Sequence, residues 1–278
     1  MADWYDEVYQ DQERYGLRFT QRLYDQQSPY QRVEVIDTTS MGRVLVIDGV
    51  FMTSERDEHF YHELIVHPAM VTAPRARRVL IVGGGDGGTT RRVLQHPSVE
   101  QVVMVEIDAL VVEASKAHLP GLGSWDDPRL ELRIGDGIAY VREAEVDPFD
   151  VVILDGTDPV GPGEGLFGRD FYRGVRRMLA DDGVFALQSE SPFLDRQLFL
   201  DIQRALADVF PRVHPYFGPA PLYSAGVWSW TLAGAEVDPA AVDDARAAAV
   251  EPSCRYWNRD INRGIFALPS DLRRELAR

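Results

Sequence analysis

Asp86, Glu106, Asp136, Asp155 and Asp158 each follow an apolar run, where a side chain can meet a ligand at the end of a buried strand. Asp86 lies inside Gly83-Gly84-Gly85-Asp86-Gly87-Gly88, whose glycines allow tight turning and close approach of backbone to ligand. The turn is not a phosphate loop: no Gly-Lys-Ser/Thr follows, and a carboxylate inside it would repel a pyrophosphate. Glu106 comes twenty-three positions after Gly83, a spacing at which an acidic residue receives ribose hydroxyls. In Gly135-Asp136-Gly137 the aspartate can accept a hydrogen bond from an exocyclic adenine amine, while Gly137 admits the ring to the backbone. Each signal alone fits a turn or a surface carboxylate; in this order they describe a nucleoside pocket.

Asp155 and Asp158 precede a loop holding Pro159, Gly161, Pro162, Gly163 and Gly165 that runs to Phe167. A loop of that composition reads as a lid over a crevice. Asp86, Asp155 and Asp158 are therefore expected to converge. Such a cluster suits a substrate with several positive charges and lacks a metal-ligand set of the usual kind. His59, His62 and His67 do not supply one, because their spacing scatters them and no partner set accompanies them.

The elements that must position these groups fall into two parts. From Gln31 to Thr53 apolar residues alternate, with Met41-Gly42 and Asp48-Gly49 as turns, and the segment before Ser28-Pro29 reads as a further strand. These form a small antiparallel N-terminal sheet, followed by a helical stripe carrying Phe60, Leu64 and His67 that Pro68 would kink or end. Thr72-Ala73-Pro74 reads as a boundary, giving residues 1–72 as a β domain with connecting helix and 73–278 as the catalytic domain. Beyond it, continuous apolar runs at 78–83, 101–108, 130–136, 150–156 and 183–190 alternate with helices expected at 88–95, 109–118, 137–145 and 168–180. That series predicts an α/β fold, a doubly wound, Rossmann-like sheet of buried parallel strands with ligands beyond their carboxyl ends. Further on, 196–210 reads as a helix and 226–234 as a strand closing the sheet. On that strand Trp228 and Trp230 are expected to face different surroundings, one lining a channel; Trp4, Tyr5 and Tyr9 are expected to pack locally or at an interface.

Composition narrows the partners. The chain of 278 residues has 29 basic and 44 acidic residues, a formal net charge of −15. It lacks the basic face that nucleic-acid binding needs, and anionic lipid would repel it. The one cysteine excludes an internal disulfide framework. No apolar run approaches the ~18 residues of a membrane span, and the acidic, aromatic start is unlike a signal peptide. A cytoplasmic protein is expected.

The segments "GRVLVIDGVFMTSERDEHFYHE", "VLIVGGGDGG", "HPSVEQVVMVEID", "DDPRLELRIGDG", "LDGTDPVGPGEGLF", "QSE" and "CRYWNRDINRGIFALP" resemble the polyamine aminopropyltransferases, of which spermidine synthases are the commonest members. The resemblance runs from about Tyr15 to the C-terminus. It implies a small β domain before a methyltransferase-like Rossmann domain, a homodimer or homotetramer, no metal, and decarboxylated S-adenosylmethionine as co-substrate rather than a bound cofactor. It implies putrescine as acceptor, with agmatine, cadaverine or a longer polyamine as variants. Gln31, Glu106, Asp136, Gly137 and Pro162 match positions holding the adenosine part of the donor or its product methylthioadenosine, and Asp86 the carboxylate that holds the aminopropyl ammonium. Asp155 matches the catalytic acid/base. His62, Asp158 and Tyr223, together with Asp86 and Asp155, match acceptor-amine positions, and Gln188 and Glu190 match the distal end of that channel.

Three departures lie on the acceptor side: Met41 where the family has Tyr or Phe, "PLYSAG" for "PTYPSG", and Gly156 where a Ser follows the catalytic Asp. Other classes fit less well. Methyl transfer from S-adenosylmethionine would set the donor's carboxylate against Asp86, and a nicotinamide cofactor would set its phosphates against Asp86, Asp155 and Asp158. A non-catalytic polyamine-binding protein would have no need of an intact Asp155 beside Asp86, Glu106 and Asp136.

Overall fold

The computed structural model describes residues 3–9, 11, 13–159 and 161–277, and the inner strands of its first sheet are buried continuously, at 33–36 and 44–47, rather than alternately. Strands β1 (Asp3–Tyr9), β2 (Glu13–Gln27), β3 (Arg32–Thr38), β4 (Gly42–Ile47) and β5 (Val50–Ser54) pair antiparallel in chain order. The β4–β5 turn has both central residues at positive φ, Asp48 at 48° and Gly49 at 88°, the geometry that matches a two-residue hairpin to the twist of its strands.

Helix α1 (Glu58–Thr72) runs on through Pro68 rather than ending there. A proline at that position cannot donate to the Leu64 carbonyl. The Tyr216 hydroxyl donates to it instead, at 2.8 Å, so the helix loses no buried partner. The apolar side of α1, including Leu64, Ile65, Ala69 and Met70, packs into the same core as the second sheet.

The second sheet has seven strands in the order β11-β12-β10-β9-β6-β7-β8. Strands β6 (Arg78–Gly83), β7 (Gln101–Glu106), β8 (Leu130–Ile134), β9 (Phe149–Asp155) and β10 (Leu179–Gln188) run parallel, whereas β12 (Val227–Gly234) and β11 (Arg212–Pro219) join antiparallel. Helices α2 (Gly88–Leu94), α3 (Ala109–His118), α4 (Gly137–Glu143), α5 (Arg169–Met178) and α6 (Arg196–Ala207) connect them, and α7 (Asp244–Val250), α8 (Arg259–Ile265) and α9 (Ser270–Leu276) finish the chain. This is the expected fold class: a small antiparallel sheet, then a doubly wound domain. Strands β7 and β8 end two residues earlier than the apolar runs imply. Asp108 and Asp136 leave the strands and cap α3 and α4, their carboxylates accepting the helices' first N–H groups.

Trp228 and Trp230 require a correction. They are two residues apart on β12, and a strand places such residues on the same face. Both belong to one hydrophobic cluster; Trp228 alone also reaches a cavity. Among the described residues no helix is long and apolar enough to cross a membrane.

Candidate active site

The order of the second sheet reverses between β6 and β9, which stay paired out to Gly83 and Asp155; the chain leaves their carboxyl ends in opposite directions, and a crevice opens there. Gly83, at φ 82°, closes the junction: a Cβ there would sit 2.2 Å from the Asp155 carbonyl, which instead accepts the Gly84 N–H at 2.8 Å. The first glycine of the turn thus sets the carboxyl end of β9 directly against the turn that carries Asp86.

The crevice holds two connected chambers. The first has about 910 Å³ of empty space, counting its solvent-open mouth, and the second about 670 Å³, both in the range of small-molecule sites. Gln31, His62, Asp86, Glu106, Asp136, Gly137 and Asp155 line the first. Asp158, Gln188 and Glu190 line the second. Tyr223, Tyr61, Met52, Gly156 and Thr157 line both and so form the passage between them. Of the residues singled out from sequence, only the Pro162 side chain lies outside the described residues. Its neighbours Gly161–Phe167 form a 3-10 helix from which Gly163 and Leu166 close over the first chamber.

In the first chamber Glu106 is buried at the end of β7 and accepts the Asp108 N–H at 2.9 Å. Burial, opposed only in part by that bond, pushes its carboxyl up to about 7. Asp136 accepts the N–H groups of Ile138 and Ala139 with Oδ1 alone, at 2.8 and 3.2 Å. Gly137 is small for packing as much as for a ligand, since a Cβ would meet Val82 at 2.5 Å. Gln31 comes from the N-terminal sheet, held by Ser28, whose hydroxyl donates to Asp108 at 2.7 Å and ties the two sheets together.

At the passage, the Tyr61 hydroxyl donates to Asp155 Oδ1 at 2.9 Å. Burial and the nearby Asp86 raise the Asp155 carboxyl above its ordinary range, with His62 pulling the other way. His62, Asp86 and Asp155 bring one ligand atom each within 4.8 Å, so His62 has the partners that its helix spacing does not reveal. The trio suits an organic ammonium better than a metal ion. Nδ1 and Nε2 of His62 face Glu58 and Asp86, and a ring that donates twice has no lone pair for a metal.

In the second chamber Gln188 organises the distal end. Its carbonyl accepts Trp228 Nε1 and the Glu190 N–H, and its amide donates to Glu190 Oε1 at 3.2 Å. Glu190 sits at φ 67°, held there by Ser229, which donates to its carbonyl from both N and Oγ. Burial and the neighbouring Asp158 push the Glu190 carboxyl well up, and burial raises Asp158 too.

Two residues escaped the sequence reading. Tyr61 carries no motif signal beyond adjacency to His62. Glu7 of β1 lines the second chamber, its carboxylate accepting the Phe51 N–H at 2.8 Å, and Tyr9 lines it as well rather than merely packing. Tyr5 does pack locally, against Phe19 and Phe51, while Trp4 is exposed. Met41 stays out of both chambers and belongs to the hydrophobic cluster of the N-terminal sheet that also holds Leu222 and against which Tyr223 packs.

Fold and site together are those of a Rossmann-like transferase. The family model "Spermine/spermidine synthase domain" matches residues 58–243, and "Spermidine synthase tetramerisation domain" matches residues 3–55. Relatives called polyamine aminopropyltransferase include one from Prochlorococcus marinus (strain MIT 9313), 46% identical over 98% of this chain and 96% of that one. Another, from Bacillus subtilis (strain 168), is 37% identical over 96% of each. A crystal structure of spermidine synthase in complex with the transition-state analogue AdoDATO aligns with a TM-score of 0.95 at 38% identity, covering 99% of this chain and 95% of that one. The spermidine synthase of Thermotoga maritima aligns with a TM-score of 0.93 at 37% identity, covering 99% and 94%. The chain belongs to the spermine/spermidine synthase family, the polyamine aminopropyltransferases.

Proposed function

We propose that this enzyme moves the aminopropyl group of decarboxylated S-adenosylmethionine to putrescine, giving spermidine and methylthioadenosine, with Asp155 as general base. The observation that carries this reading is that Asp155, bonded to Tyr61 of the passage, lines the first chamber together with Asp86, while Asp158 and Glu190 line the chamber the passage opens into. Glu106, Asp136, Gly137, Gln31 and Pro162 hold the adenosine. Asp86 holds the donor's ammonium. Asp158, Gln188 and Glu190 hold the distal ammonium of the acceptor, while His62 and Tyr223 shape the passage.

The amine nitrogen attacks the propyl carbon in line with the sulfonium. The C–N bond forms as the C–S bond breaks, and the electron pair leaves on sulfur as a neutral thioether. A primary alkylamine resembles lysine, with a pKa of about 10.4, so roughly one molecule in 10³ is neutral at pH 7. Removing that proton is a large part of the barrier, and a carboxylate beside the attacking nitrogen accepts it. The donor's sulfonium and ammonium oppose the burial that raises Asp155, so the base is ionised when the donor is bound.

The departures bear on the acceptor. Gly156 puts no side chain into the passage and Met41 lines neither chamber, so neither removes a charged group. We also propose an oligomer built through the N-terminal sheet, a homodimer or homotetramer, a division of the chain at residues 72–73, and a cytoplasmic location.

The reading is tested by mass spectrometry of products from decarboxylated S-adenosylmethionine with putrescine, cadaverine, agmatine and spermidine in parallel. Spermidine and methylthioadenosine, formed fastest from putrescine, are the expected products. A different preferred amine would overturn the acceptor, and no methylthioadenosine from any amine would overturn the reaction.

Acceptor binding should also release a proton. Burial and Asp158 hold the Glu190 carboxyl well up, and an ammonium beside it favours the ionised form. The acceptor's KM should therefore fall as pH rises, by up to about tenfold per unit for one proton. Calorimetric titration in two buffers of different ionisation heat should show the release, and Glu190→Gln should reduce it by one proton. Equal release by the variant would remove Glu190 from this role.

A further inference from the structure

One glycine of the turn serves a side chain rather than a ligand. A Cβ on Gly88 would lie 2.2 Å from Cε1 of His62 and within 2.5 Å of both ring nitrogens, so the imidazole fills the space over the start of α2. The buried ring is gripped at both ends. Nδ1 is 2.9 Å from Glu58 Oε2, one helical turn earlier, and Nε2 is 3.2 Å from Asp86 Oδ2. Glu58 is fixed in turn at its other oxygen, where Arg91 and Arg92 both donate to Oε1, at 2.6 and 2.9 Å. An unbroken line of charge thus runs from two arginines on α2 through Glu58 and His62 to the carboxylate of Asp86 in the first chamber.

We propose that Glu58, which lines neither chamber, is a positioning residue for the transfer: it seats His62 as a doubly donating, positively charged ring across Asp86, which aims the Asp86 carboxylate and lets Asp86 and Asp155 stay ionised side by side. The inference rests on the aminopropyl-transfer reading. Two carboxylates this close repel, and without a cation between them one takes up a proton. Asp86 must be free of that proton to hold an ammonium and Asp155 to accept one from the amine; His62 supplies part of the positive charge this needs, and the bound donor adds the rest.

The groups facing His62 are Glu58 and Tyr61 from its own helix, Asp86 from the glycine turn, Arg91 and Arg92 behind Glu58, and Asp155 from β9. Glu106 and Tyr223 are near enough to Asp155 to feel its charge. Burial alone would depress His62, but Asp86 and Glu58 outweigh it and hold the ring up at about 10. Replacing Glu58 by Gln preserves shape but removes the nearer anion and takes from Arg91 and Arg92 the carboxylate they share, leaving Arg92 only Glu63 at 3.5 Å. Both changes favour the neutral ring.

The test pairs ¹⁵N NMR of the His62 ring with the pH dependence of kcat/KM for the donor, in wild type, Glu58→Gln and Glu58→Asp. Wild-type His62 should stay protonated through pH 8, and in Glu58→Gln its titration should fall by at least about one unit. The acid limb of kcat/KM should move up by about one unit, a tenfold loss on the limb that shrinks as pH rises, with Glu58→Asp recovering part of it. A purely structural role would lower activity equally at every pH, and that result, or an unmoved His62 titration, would overturn the proposal. Should Glu58→Gln fail to fold, wild-type His62 titrating near its ordinary value of about 6.5 would overturn it alone. Wild type giving no methylthioadenosine would sink the transfer reading separately, leaving the NMR titration to decide the network.

Discussion

Replacing Asp155 by asparagine is expected to lower kcat by about 10²- to 10⁴-fold, the usual contribution of a positioned general base. Methylthioadenosine affinity should change by no more than a few-fold. The amide has the same shape, and its oxygen can still accept from the Tyr61 hydroxyl that now bonds Oδ1. It cannot take the amine's proton, so the reaction is left with the roughly one in 10³ acceptor molecules that are neutral at pH 7. Methylthioadenosine is the right binding probe because it lacks the donor's positive charges and reports only the adenosine end, around Glu106 and Asp136. Single-turnover kinetics with calorimetric binding would check both halves of the expectation. Near-normal turnover would take the base role away from Asp155, and joint loss of turnover and methylthioadenosine binding would make it a structural residue of the crevice.

The carboxylates of the first chamber were legible because each ends an apolar run, and a parallel sheet puts all such ends on one edge. Asp86, Glu106, Asp136 and Asp155 meet there for that reason alone. What stayed hidden depends on non-local pairing. Glu7 reaches the second chamber only because its carboxylate accepts the Phe51 N–H, across 44 residues of chain. The edge strands β1 and β11 lack the apolar pattern of a buried strand. The first is acidic and aromatic, and the second carries Pro215 and Pro219, which an edge tolerates and a central strand does not. An end at Pro68 does not occur, and the hydroxyl that satisfies the Leu64 carbonyl comes from Tyr216, 152 residues distant.

The largest expected loss of stability comes from a residue outside the chemistry. Glu63→Ala should cost about 3–5 kcal/mol, the range for removing one partner of a buried charge pair. Glu63 is wholly buried on α1. Its Oε1 accepts the Arg255 N–H at 2.9 Å, its Oε2 accepts those of Tyr256 and Trp257 at 2.8 Å, and Arg92 approaches within 3.5 Å. Truncation leaves three N–H groups and a guanidinium without their anion, whereas Glu63→Gln keeps one acceptor and should lose less. Against a typical total stability of about 5–15 kcal/mol, the alanine variant should melt on the order of 10 °C lower. Scanning calorimetry of both variants checks the order, and an alanine variant within about 2 °C of wild type would show that the clamp contributes little. The clamp also bears on the site. Trp257 packs on His67 and Tyr256 on Phe60, so the segment held by Glu63 braces both ends of the helix stretch that presents Tyr61 and His62. Loosening it should therefore lower activity below the melting temperature as well, because a passage formed by groups from four separate parts of the chain is only as well defined as the helix that carries Tyr61.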